Sequence, residues 1–260
     1  MDRELAEQLE RHEELGNASS AWRIGGEVWE RGDVVALYSH PQFGTGLNFA
    51  CRVRSTEQGI DELLDDVIEW FSWRNVKPHV RVNPLSRPID LAERLKRRGF
   101  TQTEMETQMV LTAKDIERPP NLRVTIELVR IPDLGSWLSI QNRGFGSNGQ
   151  PTPLSIELNR ATVNAGWRPY LARLDGEPVA AGMLSSFENT WGIYGVATLP
   201  DARGQGVGTA LMRRMVADAQ AEMASCPVCL QAETAGPAQR WYERLGFRVV
   251  YDRTGWSLEV

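Results

Sequence analysis

The chain has few of the residues that build metal centres and disulfide frameworks. It contains three cysteines and three histidines in 260 residues, and no histidine follows His79. A small, odd number of cysteines, with an acidic N-terminus that lacks an apolar signal core, predicts a cytoplasmic protein. Cys226 and Cys229 have CxxC spacing, but one such pair is typical of two thiols at the start of a buried strand, so no metal is expected.

Long apolar runs and an excess of positive charge are also missing. No stretch of about 18 apolar residues occurs, so no membrane partner is expected. The net charge of −5 argues against nucleic acid as a partner. With 42% apolar and 24% charged residues, the composition is ordinary for a globular protein of one large or two small domains.

A charged segment that contains Pro119 and Pro120 predicts a linker, because two successive prolines interrupt regular structure. We therefore expect two domains, residues 1–118 and 119–260. The second reads as an α/β unit from its periodicities and its Asp175-Gly176 hairpin turn. Its predicted strands are 122–129, 169–174, 178–187, 190–199 and 227–232, and its predicted helices are 132–141, 153–163 and 209–223.

The most informative stretch is the glycine-rich turn at 203–208, RGQGVG, between an apolar strand and a helix. Glycines allow close backbone approach, and the first amides of a helix are unpaired and lie at the positive end of its dipole. The turn therefore predicts a diphosphate site, to which Arg203 adds a charged donor. No lysine follows Gly208, which excludes the GxxxxGK[ST] nucleotide loop, and Thr209 breaks the GxGxxG pattern.

This turn, with Arg203, Gly206 and Gly208, resembles the acyl-CoA pyrophosphate loop of the GNAT superfamily of N-acetyltransferases. The sequence from Tyr242 to Phe247 is similar to that family's Tyr-x-x-Leu-Gly-Phe motif. Two motifs in the right order are more specific than either alone, and the resemblance covers roughly residues 122–260. It implies a mixed, mostly antiparallel sheet flanked by helices, an α/β (α+β) fold, and acetyl-CoA as co-substrate.

The resemblance also implies roles for individual residues. The preceding strand hydrogen-bonds the pantetheine arm, and its backbone groups could polarise the thioester carbonyl. Tyr242 is the expected general acid for the departing thiolate, with packing as the alternative role. The residues expected to bind acetyl-CoA are Val196, Ala197, Thr198, Arg203, Gly204, Gln205, Gly206, Val207, Gly208 and Thr209.

The sequence patterns are less specific for the general base and for the acceptor site. Glu188 and Glu233 could act as a base through water, but a solvated carboxylate is the more common role of such residues. Four aromatic residues could line an acceptor pocket or pack the core: Phe145, Trp167, Trp191 and Trp256.

The first half repeats the pattern of the second. Phe49 and Phe100 are separated by 51 positions, as are Val196 and Phe247, which predicts a duplicated architecture. The loop at 54–61 has one glycine, acidic residues crowd the following helix, and Leu95 stands at the position of Tyr242. We expect a degenerate first copy that does not bind CoA.

Together these features predict an acetyl-CoA-dependent N-acetyltransferase, active in the second half, that acetylates an amine of a small molecule or a peptide. The alternative is a non-catalytic acyl-CoA sensor, which would keep the phosphate loop but need no acid. The oligomeric state is not encoded in these patterns.

Overall fold

The computed structural model describes residues 1–22, 25–111, 116 and 121–259. They form two compact units, and the chain passes between them more than once. The first unit comprises Met1–Met109, Gln231–Gln239 and Val249–Val260, and the second comprises Val110–Leu230 and Arg240–Arg248. The expected boundary between Arg118 and Pro119 lies outside the described residues.

The second unit contains the elements predicted for the C-terminal half. Its strands run in the order β10-β9-β8-β7-β6, antiparallel except for the parallel pair β9 and β10. The bounds are β6 Val124–Leu128, α4 Leu134–Gly144, α5 Pro153–Asn164, β7 Arg168–Leu174, β8 Glu177–Phe187, β9 Thr190–Thr198, α6 Val207–Glu222, β10 Val228–Glu233 and α7 Pro237–Arg244. Residues 231–233 of β10 and 237–239 of α7 are assigned to the first unit.

Helix α6 begins earlier than the sequence predicts, at Val207 instead of Thr209. Gly206 precedes the helix with a left-handed backbone, and the Val207 side chain is buried, so the helix starts directly after the glycine turn. Val207 and Gly208 are therefore in the first turn of α6. The predicted apolar face is confirmed, with Leu211, Met212, Met215, Val216 and Ala219 buried.

The first unit has a similar plan. Its strands run in the order β1-β2-β3-β4-β11-β5, again with one parallel pair, β3 and β4, joined at Ala50 and Val80. Each unit therefore contains a parallel strand–helix–strand followed by a short helix, which confirms the predicted duplication. The bounds are α1 Arg3–Trp22, β1 Glu27–Arg31, β2 Val34–Tyr38, β3 Phe49–Cys51, α2 Ile60–Ser72, β4 His79–Val82, α3 Leu91–Arg97, β5 Thr101–Leu111 and β11 Arg248–Ser257.

The fold is thus the predicted mixed, mostly antiparallel sheet with helices against it. Helix α2 buries Ile60, Leu63, Leu64, Val67 and Phe71 in the core of the first unit. In the second unit, Trp137 of α4 is fully buried and its indole donates to the carbonyl of Tyr170 at 2.9 Å. The aromatic ring is therefore packed without leaving its polar group unpaired.

Candidate functional site

The glycine-rich turn connects β9 to α6 and lies at the surface. Residues 200–202 form a short 3-10 turn, and residues 203–206 are exposed. Gly206 has φ +78°, a region that other residues rarely adopt, and a Cβ there would lie 3.5 Å from Asn121 Nδ2. The 3.5 Å contact is an ordinary one, so it is the left-handed backbone that favours glycine at this position.

The backbone amides of this turn are available to a ligand. The first hydrogen bond into α6 runs from the amide of Ala210 to the carbonyl of Gly206 at 3.0 Å. Within the described ranges, no amide from Gly204 to Thr209 donates a backbone hydrogen bond. Since α6 has 16 residues and its dipole adds partial positive charge at this end, the turn has the donors and the polarity of an anion site.

Arg203 is bound to the backbone that surrounds the turn. Its Nε donates to the carbonyl of Thr198 at 3.1 Å, and its Nη2 donates to the carbonyl of Gly144 at 2.8 Å. From the sequence, we expect the Arg203 side chain to contact the diphosphate directly at the edge of the turn. In the structure its hydrogen bonds join the turn to the ends of β9 and α4.

Two polar side chains that the sequence analysis did not select also hold this region. Asn121 Nδ2 donates to the carbonyl of Gln205 at 2.8 Å, and Gln141 Nε2 donates to the carbonyl of Gly195 at 3.0 Å. Both partners are more than 50 positions away in sequence. No local pattern could therefore have identified them.

Strand β9 opens on one side as it approaches the turn. In its parallel pairing with β10, Trp191 lies opposite Val228 and Gly192 lies opposite Cys229. The strand then continues to Thr198, with an irregular register against β8 near Gly195. An irregularity of this kind bends a strand and changes the direction of its backbone groups.

The amide of Thr198 points toward this open side. Ala197 lies opposite Ala181 in β8, and the amide of Leu199 donates to the carbonyl of Val179 at 2.8 Å. Backbone groups of an antiparallel pair alternate in direction. Ala197 and Leu199 therefore bond β8, whereas the amide of Thr198 between them faces away from β8.

Helix α4 ends against the same part of β9. A Cβ on Gly144 would lie 2.7 Å from the Ala197 Cβ, so only glycine allows this approach. The next residue, Phe145, is 65% exposed, whereas Trp191 is buried and Trp167 packs against Tyr194 at 5.1 Å between ring centroids. Among these second-unit aromatics, Phe145 is the most exposed, and Trp256 belongs to the first unit.

Tyr242 lies in α7, beside Trp241. The Trp241 ring contacts the start of α6, where a Cβ on Gly208 would lie 3.2 Å from it, and the two aromatic rings are 4.8 Å apart. The Tyr242 ring also packs against Phe247 at 5.8 Å. Burial raises the pKa of Tyr242 above its ordinary value, so the phenol keeps its proton.

The two carboxylates considered as bases differ in position. Glu188 occupies the turn between β8 and β9 with φ +50°, and Glu233 belongs to the first unit. Among the described residues, no three metal-binding side chains converge. No helix in the described ranges has the length and apolarity needed to cross a bilayer.

The fold and the glycine-rich turn before α6 together are typical of enzymes that transfer acyl groups from acyl-CoA. Residues 134–247 match the acetyltransferase (GNAT) family, and the chain carries a domain of that family. No curated protein matches the sequence.

Solved structures share the fold along nearly the whole chain. A GCN5-related N-acetyltransferase from Kribbella flavida is 18% identical, with a TM-score of 0.72 and 95% of each chain covered. A functionally unknown conserved protein from Staphylococcus epidermidis is 16% identical, with a TM-score of 0.65 and 91% of this chain and 95% of that one covered. A tandem GNAT protein from the clavulanic acid biosynthesis pathway is 13% identical, with a TM-score of 0.61 and 87% and 78% covered.

Proposed function

We propose that this protein is an acetyl-CoA-dependent N-acetyltransferase whose active site lies in the second unit. The observation that carries the proposal is the row of unpaired amides from Gly204 to Thr209 at the start of α6. These donors fit the diphosphate of acetyl-CoA, and the exposed backbone leaves room for it. The acceptor is an amine of a small molecule or a peptide.

Each proposed residue has a separate task. Gly204, Gln205, Gly206, Val207, Gly208 and Thr209 bind the diphosphate, and Arg203 fixes the turn that presents their amides. Val196, Ala197 and Thr198 lie along the pantetheine arm. The outward amide of Thr198 is the donor for the thioester oxygen, where negative charge develops as the amine attacks.

Tyr242 supplies the proton for the leaving group. When the carbon–sulfur bond breaks, the electron pair stays on sulfur, and the phenol donates its proton to that thiolate. Its raised pKa favours the protonated form that this step requires. Its place beside Trp241, which contacts the first turn of α6, supports this role.

The test is acetyl transfer to a panel of amines: diamines, amino sugars, amino acids and peptides with free N-termini or lysines. Free thiol release reports turnover, and mass spectrometry identifies the acetylated product. We expect at least one amine class to be acetylated. Stoichiometric acetyl-CoA binding with no transfer to any class would instead support a non-catalytic acyl-CoA sensor.

A further inference from the structure

The first unit contains a buried cluster of arginines that the proposed function does not use. Arg52 and Arg54 follow β3, Arg81 lies in β4, and Arg253 lies in β11. Their side chains are only 6–16% exposed. Strands β3 and β4 pair only at Ala50 and Val80, and the guanidinium groups lie beyond that pair. Such a concentration of guanidinium groups is a candidate anion site.

The chain's own helix α1 supplies three of the carboxylates that pair with these arginines, and Glu106 of β5 supplies a fourth, which accepts from Arg253 Nε at 3.0 Å. Glu10 pairs with Arg54 at 2.5 Å and with Arg52 at 3.8 Å, and it accepts a hydrogen bond from Asn83 at 2.8 Å. The next turn of α1 pairs with the remaining arginines. Those pairs are Glu13 with Arg253, Glu13 with Arg81 at 3.6 Å, Glu14 with Arg253 at 3.3 Å and Glu14 with Arg81 at 3.8 Å.

This arrangement is costly and incompletely satisfied. Glu10, Glu13 and Glu14 are at most 3% exposed. Among the described residues, Glu13 Oε2, Glu14 Oε2 and Arg81 Nε have no hydrogen-bond partner. Buried charges with unmet hydrogen bonds stabilise a fold less than apolar side chains of similar size, so stability alone does not account for the cluster.

The side chains of helix α1 that the structure describes contribute few apolar contacts to the unit. Of its side chains that the structure describes, the buried apolar ones are Ala6 and Leu9, whereas α2 buries five large or branched apolar residues. The described part of α1 is therefore held by ion pairs as well as by these two apolar side chains. A competing anion can exchange with ion pairs, but it cannot exchange with apolar packing.

We propose that Arg52, Arg54, Arg81 and Arg253 form a binding site for a small phosphate-type anion, and that the carboxylates of α1 occupy this site in the free chain. Glu10 and Glu14 are about 6 Å apart along the helix axis, from a rise of 1.5 Å per residue, so the three carboxyl groups form one compact patch of oxygen acceptors. Inorganic diphosphate presents oxygen acceptors over a comparable span and can engage guanidinium groups bidentately. Its binding displaces the carboxylates and loosens α1.

The test is hydrogen–deuterium exchange of the full chain with and without inorganic pyrophosphate, with sodium chloride at matched ionic strength. The background is Gly206→Glu, which separates the response from any binding at the turn of the second unit. We expect pyrophosphate, but not chloride, to accelerate exchange in residues 3–14. Equal acceleration by both salts, or no acceleration, would overturn the proposal.

Three variants test whether the pyrophosphate response depends on the arginines and carboxylates of this cluster. Arg54→Gln should raise the pyrophosphate concentration needed by about 10-fold, the loss expected for one charge-assisted contact. Glu13→Gln should lower it, because it removes a competing charge. Arg98→Gln is the matched control, since Arg98 pairs with Asp61 and Asp65 at the start of α2, and it should change nothing. If Arg54→Gln does not fold, the comparison of Glu13→Gln with the control decides: a lower pyrophosphate requirement for Glu13→Gln alone supports the proposal, and equal values for the two contradict it.

Discussion

The guanidinium of Arg203 donates to the carbonyl of Gly144 at 2.8 Å, linking the glycine-rich turn to the last residue of α4. A second hydrogen bond from the same side chain reaches the carbonyl of Thr198 at 3.1 Å. One side chain thus fixes the relative positions of the turn, the end of β9 and the end of α4. In the proposed enzyme, these three elements bind the diphosphate, the pantetheine arm and the acceptor.

Replacing Arg203 tests this positioning role. Arg203→Gln removes two charge-assisted hydrogen bonds, each worth about 1.5–3 kcal/mol. We expect acetyl-CoA affinity to fall about 10–100-fold in calorimetry, because part of that energy holds the turn in its binding conformation. Arg203→Lys should not restore it, since one ammonium cannot reproduce the planar fork.

The control for Arg203 is Arg173→Gln. Arg173 pairs with Glu127 across the β6–β7 pair, and both side chains are partly exposed. Its loss should leave acetyl-CoA affinity unchanged. Equal effects of the two substitutions would mean that the net charge of the protein, not the hydrogen bonds to Thr198 and Gly144, controls acetyl-CoA affinity.

Tyr242→Phe keeps the buried ring and removes the proton. With an acceptor in hand, we expect kcat to fall about 10²–10⁴-fold, the usual contribution of a general acid. Affinity for acetyl-CoA should change little. Because burial raises the Tyr242 pKa, the wild-type kcat should show no loss of this acid up to pH 10.

The matched control for Tyr242 is Tyr170→Phe. Tyr170 is buried in the same unit, and its hydroxyl donates to Asp218 at 2.8 Å. Its loss should affect stability more than kcat. A near-normal kcat for Tyr242→Phe, under conditions where chemistry limits the rate, would assign Tyr242 to packing.

Glu14 should make the stability of the first unit depend on pH. Burial raises the Glu14 pKa to about 7, with Arg81 opposing the shift and Glu13 adding to it. A carboxyl whose pKa is higher in the folded state contributes its stability at low pH. That contribution is lost as the pH rises from about 4.5 to 7.

Urea unfolding of the wild type and Glu14→Gln at several pH values measures this effect. The unfolding free energy of Glu14→Gln minus that of the wild type should increase by about 3 kcal/mol as the pH rises from about 4.5 to 7, since one pKa unit corresponds to 1.36 kcal/mol. Glu4→Gln, at an exposed position of the same helix, is the control. A parallel pH dependence for wild type and Glu14→Gln would contradict the assignment.

The sequence was sufficient for the local features of the second unit. Alternating apolar residues located β6 to β9, and the glycines of 203–208 located the turn, because both are properties of short stretches. The equal spacing of Phe49 to Phe100 and Val196 to Phe247 also indicated the duplicated plan.

Contacts between distant segments were not accessible in this way. The bonds of Arg203 to Gly144 and of Gln141 to Gly195 join positions more than 50 residues apart. Likewise, β11 pairs with β4 of the first unit, from Gly255 with Arg81 to Ser257 with His79, although it ends the chain. Strand pairing depends on the assembled sheet, and a single sequence carries no signal for it.

The most direct test of the central claim is calorimetric titration of the full chain with acetyl-CoA, for the wild type and for Gly206→Glu. The substitution places a carboxylate among the amides of the turn and strains a backbone with φ +78°. Gly166→Glu carries the same side chain at another left-handed position, φ +96° with open space around it, and serves as the control. We predict one acetyl-CoA per chain for the wild type and the control, and no measurable binding for folded Gly206→Glu. Two equivalent sites per chain, or unchanged affinity in Gly206→Glu, would contradict a single site at the turn of the second unit.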